Sequence, residues 1–349
     1  MKIDNKRSQS RRRTPWDTLK EEERTPLQSF LRNIYRERFD YHHQSLDKMN
    51  DSALFDSYSP TCCPYCGSTH FIKYGRYQTT NLQKYKCAGC RKSFCITTGT
   101  IFEDHKISIG EWLQYLLNLF DYVSLNAGSK NNKNAFTTSR YWLQKVFLVL
   151  QHYQDETLLS GRVYLDETYI KVRAPEVKKK ENGKEYRGIS RNQICIASAA
   201  DKREVFCKVA GNAKPTSEGI LSIFKDHIRK RSTVVHDGEA AHVRLIEELN
   251  LKDEVYFSDQ LNNLPDEDNP LDRINTIHAL LKWFLEAQSG FLRKYTGDFL
   301  NLFAFIMNPP HDKLKKAELF LDMAIRTRIS LRYRDFYKSE KGSEENLEA

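Results

Sequence analysis

The chain has 349 residues, with 55 Lys plus Arg against 46 Asp plus Glu and a formal charge of +9. That length gives room for two or three domains and at least one sizeable core. No apolar run approaches the roughly 18 to 20 residues of a membrane span, and six of the 8 cysteines crowd between Cys62 and Cys95, which excludes a chain-wide disulfide scaffold.

Residues 1–25 read as a basic, disordered leader. Its first part, MKIDNKRSQSRRR, holds Lys2, Lys6, Arg7, Arg11, Arg12 and Arg13 against Asp4. No apolar segment follows it, so it does not read as a secretory signal, and the clustered cysteines suit metal ligation in a reducing cytoplasm. Residues 26–59 are expected to be helical, from the spacing of Leu27, Phe30, Leu31, Ile34, Tyr35 and Phe39.

Residues 60–97 form a cysteine-rich module. Cys63-x2-Cys66 and Cys87-x2-Cys90 are separated by 20 residues. Two such knuckles suit one tetrahedral Zn²⁺ held by four thiolates, a structural site because no position is left for water. Gly67, Tyr74, Gly75, Tyr77 and Tyr85 between them suit two short hairpins, hence a zinc ribbon. Cys62 is the alternative to Cys63 in a slipped register, and Cys95 reads as a small buried hydrophobe beside Phe94. Between positions 71 and 92 lie Lys73, Arg76, Lys84, Lys86, Arg91 and Lys92 with no acid, which points to an anionic partner, nucleic acid above all.

Residues 98–158 are expected to be helical. ISIGEWLQYLLNLFDY (107–122) reads as one helix, SKNNKNAFTTS as a polar connection, and Arg140 to about Tyr153 as a second helix. Beside a ribbon, such a pair suggests a helix-turn-helix, although a helical hairpin that is only core has the same pattern.

From residue 159 to 310 the texture is mixed α/β. GRVYLDETYIKV, NQICIASAAD and EVFCKVAG read as three successive strands, with the charged insert at 174–187 projecting into solvent. PTSEGILSIFKDHI reads as a helix, STVVHDG a strand, EAAHVRLIEELN a helix and EVYFS a strand. NPLDRINTIHALLKWFLEAQSG and Phe291 to about Met307 are two further helices. Residues 311–349 are expected to hold a C-terminal helix and the disordered tail KSEKGSEENLEA.

Asp166 and Glu167 interrupt the apolar run VYLDETYI, where ionised acids are costly unless paired or bound to a metal. The competing reading ends the strand at Leu165 and turns the acids to water. Asp237 closes TVVHDG at the C-terminal end of its strand, where α/β sheets collect ligands, and it is equally placed to cap the next helix. On the long helix, Asn275, His278 and Lys282 share one face, with Asp272 a turn earlier, flanking the apolar stripe Leu271, Ile274, Ile277, Leu281 and Leu285. An acid on the first strand, an acid at the end of the fourth and a metal-capable residue on a later helix describe an RNase H-like site. Such a site holds two Mg²⁺ (or Mn²⁺) ions a few ångström apart.

These motifs resemble a known family. CPYCGS, FIKYGR, YKCAGCRKSF and TTGTIFE, followed by GRVYLDETYI, RGISRNQICIASAAD, VVHDGEAAH and NTIHALLKWFLEAQSGFLRKYTGDFLNLFAF, resemble in order the zinc-ribbon transposases of bacterial insertion sequences, with their Asp-Asp-Asn or Asp-Asp-Glu core. The resemblance covers about Cys63 to Phe305. It implies a triad of Asp166, Asp237 and Asn275, with His278 orienting the scissile phosphate or a water and Lys282 touching a phosphate. Asp272 or Glu267 are the alternatives to Asn275 for the third ligand. The activity implied is cleavage at element ends and transfer of the 3′-OH into target DNA, by a homo-oligomer on the double-stranded DNA of the terminal repeats. A catalytically inactive DNA-binding regulator and a structure-specific nuclease on the same fold are the competing functions.

Overall fold

The computed structural model describes residues 50–338, except 105–106, 187, 190, 262–263, 266–267 and 289–291. The basic leader, most of the expected N-terminal helical segment, the polar tail and Glu267 lie outside the described residues.

A short helix α1 (Asn50–Asp56) precedes a meander of β1 (Phe71–Arg76), β2 (Gln83–Cys87) and β3 (Ser93–Phe94). The two expected hairpins share β2: Phe71 pairs with Cys87, and Tyr85 with both Lys73 and Phe94. Its core is small, namely Cys63, Tyr85, Cys87 and Phe94 with Phe71 packed against them. So little buried apolar surface cannot hold a fold of this size alone.

Three helices follow: α2 (Ile109–Phe120), α3 (Leu125–Asn131) and α4 (Phe136–Leu150). The last turn of α3 runs into the polar stretch expected as a connection (129–139), and α4 takes up its end, beginning four residues earlier than its apolar pattern suggests. Ser124 caps α3 by accepting the Ala127 N–H at 3.2 Å. Asn118 and Asn132 bond each other at 2.7 Å, and Asn132 donates to the Glu111 carbonyl at 3.1 Å. These polar groups are satisfied inside the turn rather than by water, so hydropathy alone hides the helix. Trp112 of α2 stacks on Trp142 of α4 with ring centroids 4.8 Å apart.

The main sheet contains β4 (Arg162–Lys171), β5 (Gln193–Ala200), β6 (Val205–Gly211), β7 (Thr233–His236) and β8 (Lys252–Val255), in the order β6-β5-β4-β7-β8. The β4–β5 and β5–β6 pairs are antiparallel, whereas β4–β7 and β7–β8 are parallel. This mixed order, with helices on both faces, is the RNase H-like architecture. β8 begins at Lys252, two residues before the expected strand, and Tyr256 still donates its N–H to the His236 carbonyl.

One face of the sheet (Val163, Leu165, Ala197, Ala199, Phe206, Val234) packs against α5 (Ser217–Phe224) and α6 (Val243–Leu249). The other (Ile194, Ile196, Ala200, Val205, Cys207) packs in one continuous cluster with α7 (Asp272–Ala287), α8 (Thr296–Met307), α9 (Lys313–Arg326), α2 and α4. Phe147 of α4 meets Phe299 of α8 at 4.9 Å. Covered on both faces, β5 is buried almost throughout, which accounts for its unbroken small and apolar composition. The insert around residues 174–187 is mostly exposed but anchored, because the Glu176 carboxylate accepts the Arg293 N–H at 3.0 Å.

One asymmetry of register positions the site. β4 pairs with β5 as far as Lys171, but with β7 only from Arg162 to Tyr164. Beyond Tyr164 the β7 side of β4 has no strand partner among the described residues, and the next residues are Leu165, Asp166 and Glu167.

Candidate catalytic site

Asp166 lies opposite Ser198 of β5, with its side chain 23% exposed. Its Oδ1 accepts the Glu167 N–H at 2.8 Å, and its Oδ2 stands 3.5 Å from His278 Nδ1. Burial pushes its pKa up to about 7, and the negative charges of Asp237 and Glu167 push the same way. The acid therefore stays inside β4 and does not mark its end.

Asp237 is the first residue after β7 and is exposed. Its Oδ1 accepts the Glu239 N–H at 3.0 Å, so it also serves the turn into α6. Gly238 makes that turn sharp, at φ +88°, and a Cβ there would meet the Phe257 ring at 2.6 Å. Only glycine fits both the dihedral and the space.

Helix α7 crosses β4. Ile274, Ile277, Leu281, Phe284 and Leu285 are buried as the apolar stripe requires, and His278 is buried with them, while Asn275 and Lys282 are exposed. His278 therefore does not flank the apolar stripe with Asn275 and Lys282 but is buried with it, its ring 3.5 Å from the Asp166 carboxyl. Burial, then the charge of Lys282, push its pKa down to about 4, and its Nε2 is buried without a hydrogen-bond partner among the described residues. Asn275 lies one turn before His278. Asp272 is half-buried in the first turn, 3.4 Å from the Thr276 hydroxyl.

Glu167, noted beside Asp166 in the sequence, and three residues not singled out there, His236, His242 and Asp253, complete the region. Glu167, its side chain only 5% exposed, receives His242 Nε2 at 3.0 Å. His242 Nδ1 meets His236 Nδ1 at 2.9 Å, and His236 Nε2 meets Asp253 Oδ1 at 2.9 Å. This chain of side chains bridges the gap between β4 and the end of β7 where backbone pairing has stopped. The only hint in the sequence was the pair of histidines around Asp237 in HDGEAAH.

In the ribbon, the sulfurs of Cys63, Cys66, Cys87 and Cys90 all lie within 4.8 Å of one another. Cys63 and Cys90 are 3.7 Å apart and Cys66 and Cys87 3.6 Å, close to the roughly 3.8 Å edge of a tetrahedron with Zn–S bonds of about 2.3 Å. The Gly67 N–H bonds the Cys63 carbonyl, and Arg91 likewise Cys87, forming the two knuckle turns. Backbone N–H groups of Cys90 and Gly89 lower the pKa of Cys87. Cys62 stays outside the cluster, and Cys95 rests against the Thr97 and Thr98 hydroxyls. On the outer face, Lys84 and Lys86 lie 5.2 and 4.9 Å from the Tyr74 ring centre, and Lys92 lies 4.8 Å from that of Tyr65.

Residues 158–308 match the family described as the ISXO2-like transposase domain. That span, a little under half of the chain, is similar to a transposase domain. The matched span contains the whole five-stranded sheet, both acids and α7. A relative from Halobacterium salinarum, an uncharacterized protein in transposable element ISH50, is 24% identical over 201 residues. That match covers 53% of this chain and 65% of the relative, a little under two thirds of its length. Among solved structures, the Mos1 strand transfer complex aligns at a TM-score of 0.27 with 14% identity, over 61% of this chain and 76% of that one. A pre-cleavage Mos1 transpososome aligns at 0.21 with 12% identity, over 62% and 78%. Chemically, the open edge of β4 offers the Asp166 carboxyl beside the buried imidazole of His278, with Asp237 exposed at the end of β7. Among the described residues no helix is long and apolar enough to cross a membrane.

Proposed function

We propose that the chain is the DNA transposase of an insertion sequence, cutting at the element ends and joining the 3′-OH to target DNA. The observation that carries this reading is the placing of Asp166 on β4 just past its last pairing with β7, with Asp237 the first residue after β7, near enough that the charge of Asp237 raises the pKa of Asp166. Two hard oxygen donors that resist carrying their charges together fit a divalent cation, whose charge reverses that penalty. Bound Mg²⁺ or Mn²⁺ would supply activation of the attacking oxygen and neutralisation of the phosphate.

The chain's own residues then divide the work. Asp166 and Asp237 hold the cations as carboxylates, and Asn275 adds a neutral amide oxygen. His278, neutral at physiological pH, orients the scissile phosphate or the attacking water through its unpartnered nitrogen. Lys282, exposed one turn further on, contacts a DNA phosphate. The four cysteines hold a structural Zn²⁺, and the basic, aromatic outer face of the ribbon lies on the duplex backbone, where lysines bind phosphate without reading sequence. Copies of the chain bridge two element ends in a cytoplasmic, nucleoid-bound complex.

The test is a strand-transfer assay with Mg²⁺ or Mn²⁺ on DNA bearing the element's own termini. Joined products that disappear in Asp166→Ala and Asp237→Ala, with end binding intact, support the proposal. Binding without any product would identify an inactive regulator. Cleavage of branched DNA irrespective of the termini would identify a nuclease.

A further inference from the structure

The histidines around Asp237 carry a second inference. The Nε2 of His236 meets Asp253, and the Nε2 of His242 meets Glu167, at 2.9 and 3.0 Å. A carboxylate accepts, so each Nε2 carries its ring's hydrogen and each Nδ1 is left with a lone pair. Those two Nδ1 atoms face each other at 2.9 Å. Two lone pairs at that distance repel unless a proton or a cation sits between them.

The neighbourhood is that of a metal ligand set. A carboxylate oxygen of Asp237 lies within 4.8 Å of a ring nitrogen of each histidine. Histidines that bind metals commonly donate their other N–H to a carboxylate, which fixes the tautomer and the ring. Here both do so. His236 and His242 are 2% and 0% exposed, whereas Asp237 is exposed, so the group opens to solvent on the aspartate side. Two nitrogens at about 2.05 Å from an ion, in adjacent positions of an octahedron, are roughly 2.9 Å apart, and in a tetrahedron roughly 3.3 Å. The rings therefore need little or no movement. The one interaction a bound ion displaces is the Gly238 N–H, which reaches His236 Nδ1 at 3.2 Å.

We propose that His236, His242 and Asp237 form a metal site distinct from the all-oxygen catalytic pair, taking a first-row transition dication such as Mn²⁺ in preference to Mg²⁺. Imidazole nitrogen favours such ions, while Mg²⁺ demands oxygen. Glu167 and Asp253 are positioning residues that aim the two rings. The site shares Asp237 with the proposed catalytic pair but does not depend on the transposition reading.

Full-length, zinc-loaded protein titrated with Mn²⁺ alone, then with Mg²⁺ in about hundredfold excess, tests it. The binding is followed by calorimetry and pulsed electron paramagnetic resonance. One Mn²⁺ should resist displacement and show nitrogen-14 coupling from two imidazoles. Asp166→Asn should keep that signal even where it abolishes strand transfer, which separates this site from the catalytic one. His242→Phe should lose one nitrogen and most of the affinity, and Glu167→Gln, which keeps both ligands, should weaken binding about tenfold to a hundredfold. Absence of nitrogen coupling in the unmodified protein would overturn the proposal, leaving the histidines to share a proton. Should His242→Phe not fold, unchanged Mn²⁺ affinity in Glu167→Gln overturns it equally.

Discussion

His278 Nδ1 stands 3.5 Å from Asp166 Oδ2, joining the middle of α7 to the unpaired edge of β4. Burial acts on the two in opposite senses, raising the carboxyl to about 7 and lowering the imidazole to about 4, so without a cation both are neutral between about pH 4 and 7.

That pairing makes a prediction about pH. In protein without added divalent ions, folded Asp166 binds a proton between about pH 4 and 7 that the unfolded chain has released, so its contribution falls as pH rises through that window. Folded His278 lacks, between about pH 4 and 6.5, a proton that the unfolded chain holds, so its contribution rises with pH. The two offset in the unmodified protein. Asp166→Asn removes the first alone, so its stability should rise from pH 4 to 6.5 and exceed that of the parent by about 2–4 kcal/mol at pH 7.5. Denaturant melts at four pH values check this; a variant no more stable than the parent at pH 7.5 would place Asp166 in a wetter setting.

The third ligand can be assigned by charge. Asn275→Ala should be severely impaired in strand transfer, while Asn275→Asp should retain or raise activity, since it adds a carboxylate at the same reach. Asp272→Ala should stay active. If Asp272→Ala is dead and Asn275→Ala behaves as the parent, the ligand comes from one turn earlier on α7.

For the ribbon, the expectation is one tightly held Zn²⁺ per chain. Cys87→Ser should lose it and unfold the meander, whose core is four buried side chains, while the five-stranded sheet keeps its melting transition. Elemental analysis with circular dichroism reads both; full zinc content in the variant would point to another ligand set.

Binding of phosphate by the ribbon face should appear in salt dependence. Replacing Lys84 and Lys86 by alanine should weaken binding to any duplex and reduce the slope of log K against log salt by about 0.9 for each phosphate no longer neutralised. An unchanged slope would mean that the lysines stacked on Tyr74 face away from DNA.

Features that rest on local spacing are legible in the chain alone. The paired CxxC knuckles, the apolar strands, the acids Asp166 and Asp237 and the apolar stripe of α7 are all written within a few residues of one another, because knuckle turns and helix and strand periods are local geometry. Three other features depend on the folded arrangement. Helix α3 is stabilised by side-chain bonds from Asn132 to α2, which polarity alone reads as loop. His278 is buried because of where α7 crosses β4, and a helical period fixes a face without fixing what covers it. The bridge from Glu167 through His242 and His236 to Asp253 links direct partners up to 75 positions apart in sequence, beside the point where β7 stops pairing with β4 at Tyr164. Hydrogen-bond partners across a gap in a sheet leave no periodic trace in the chain, so only folding brings them together.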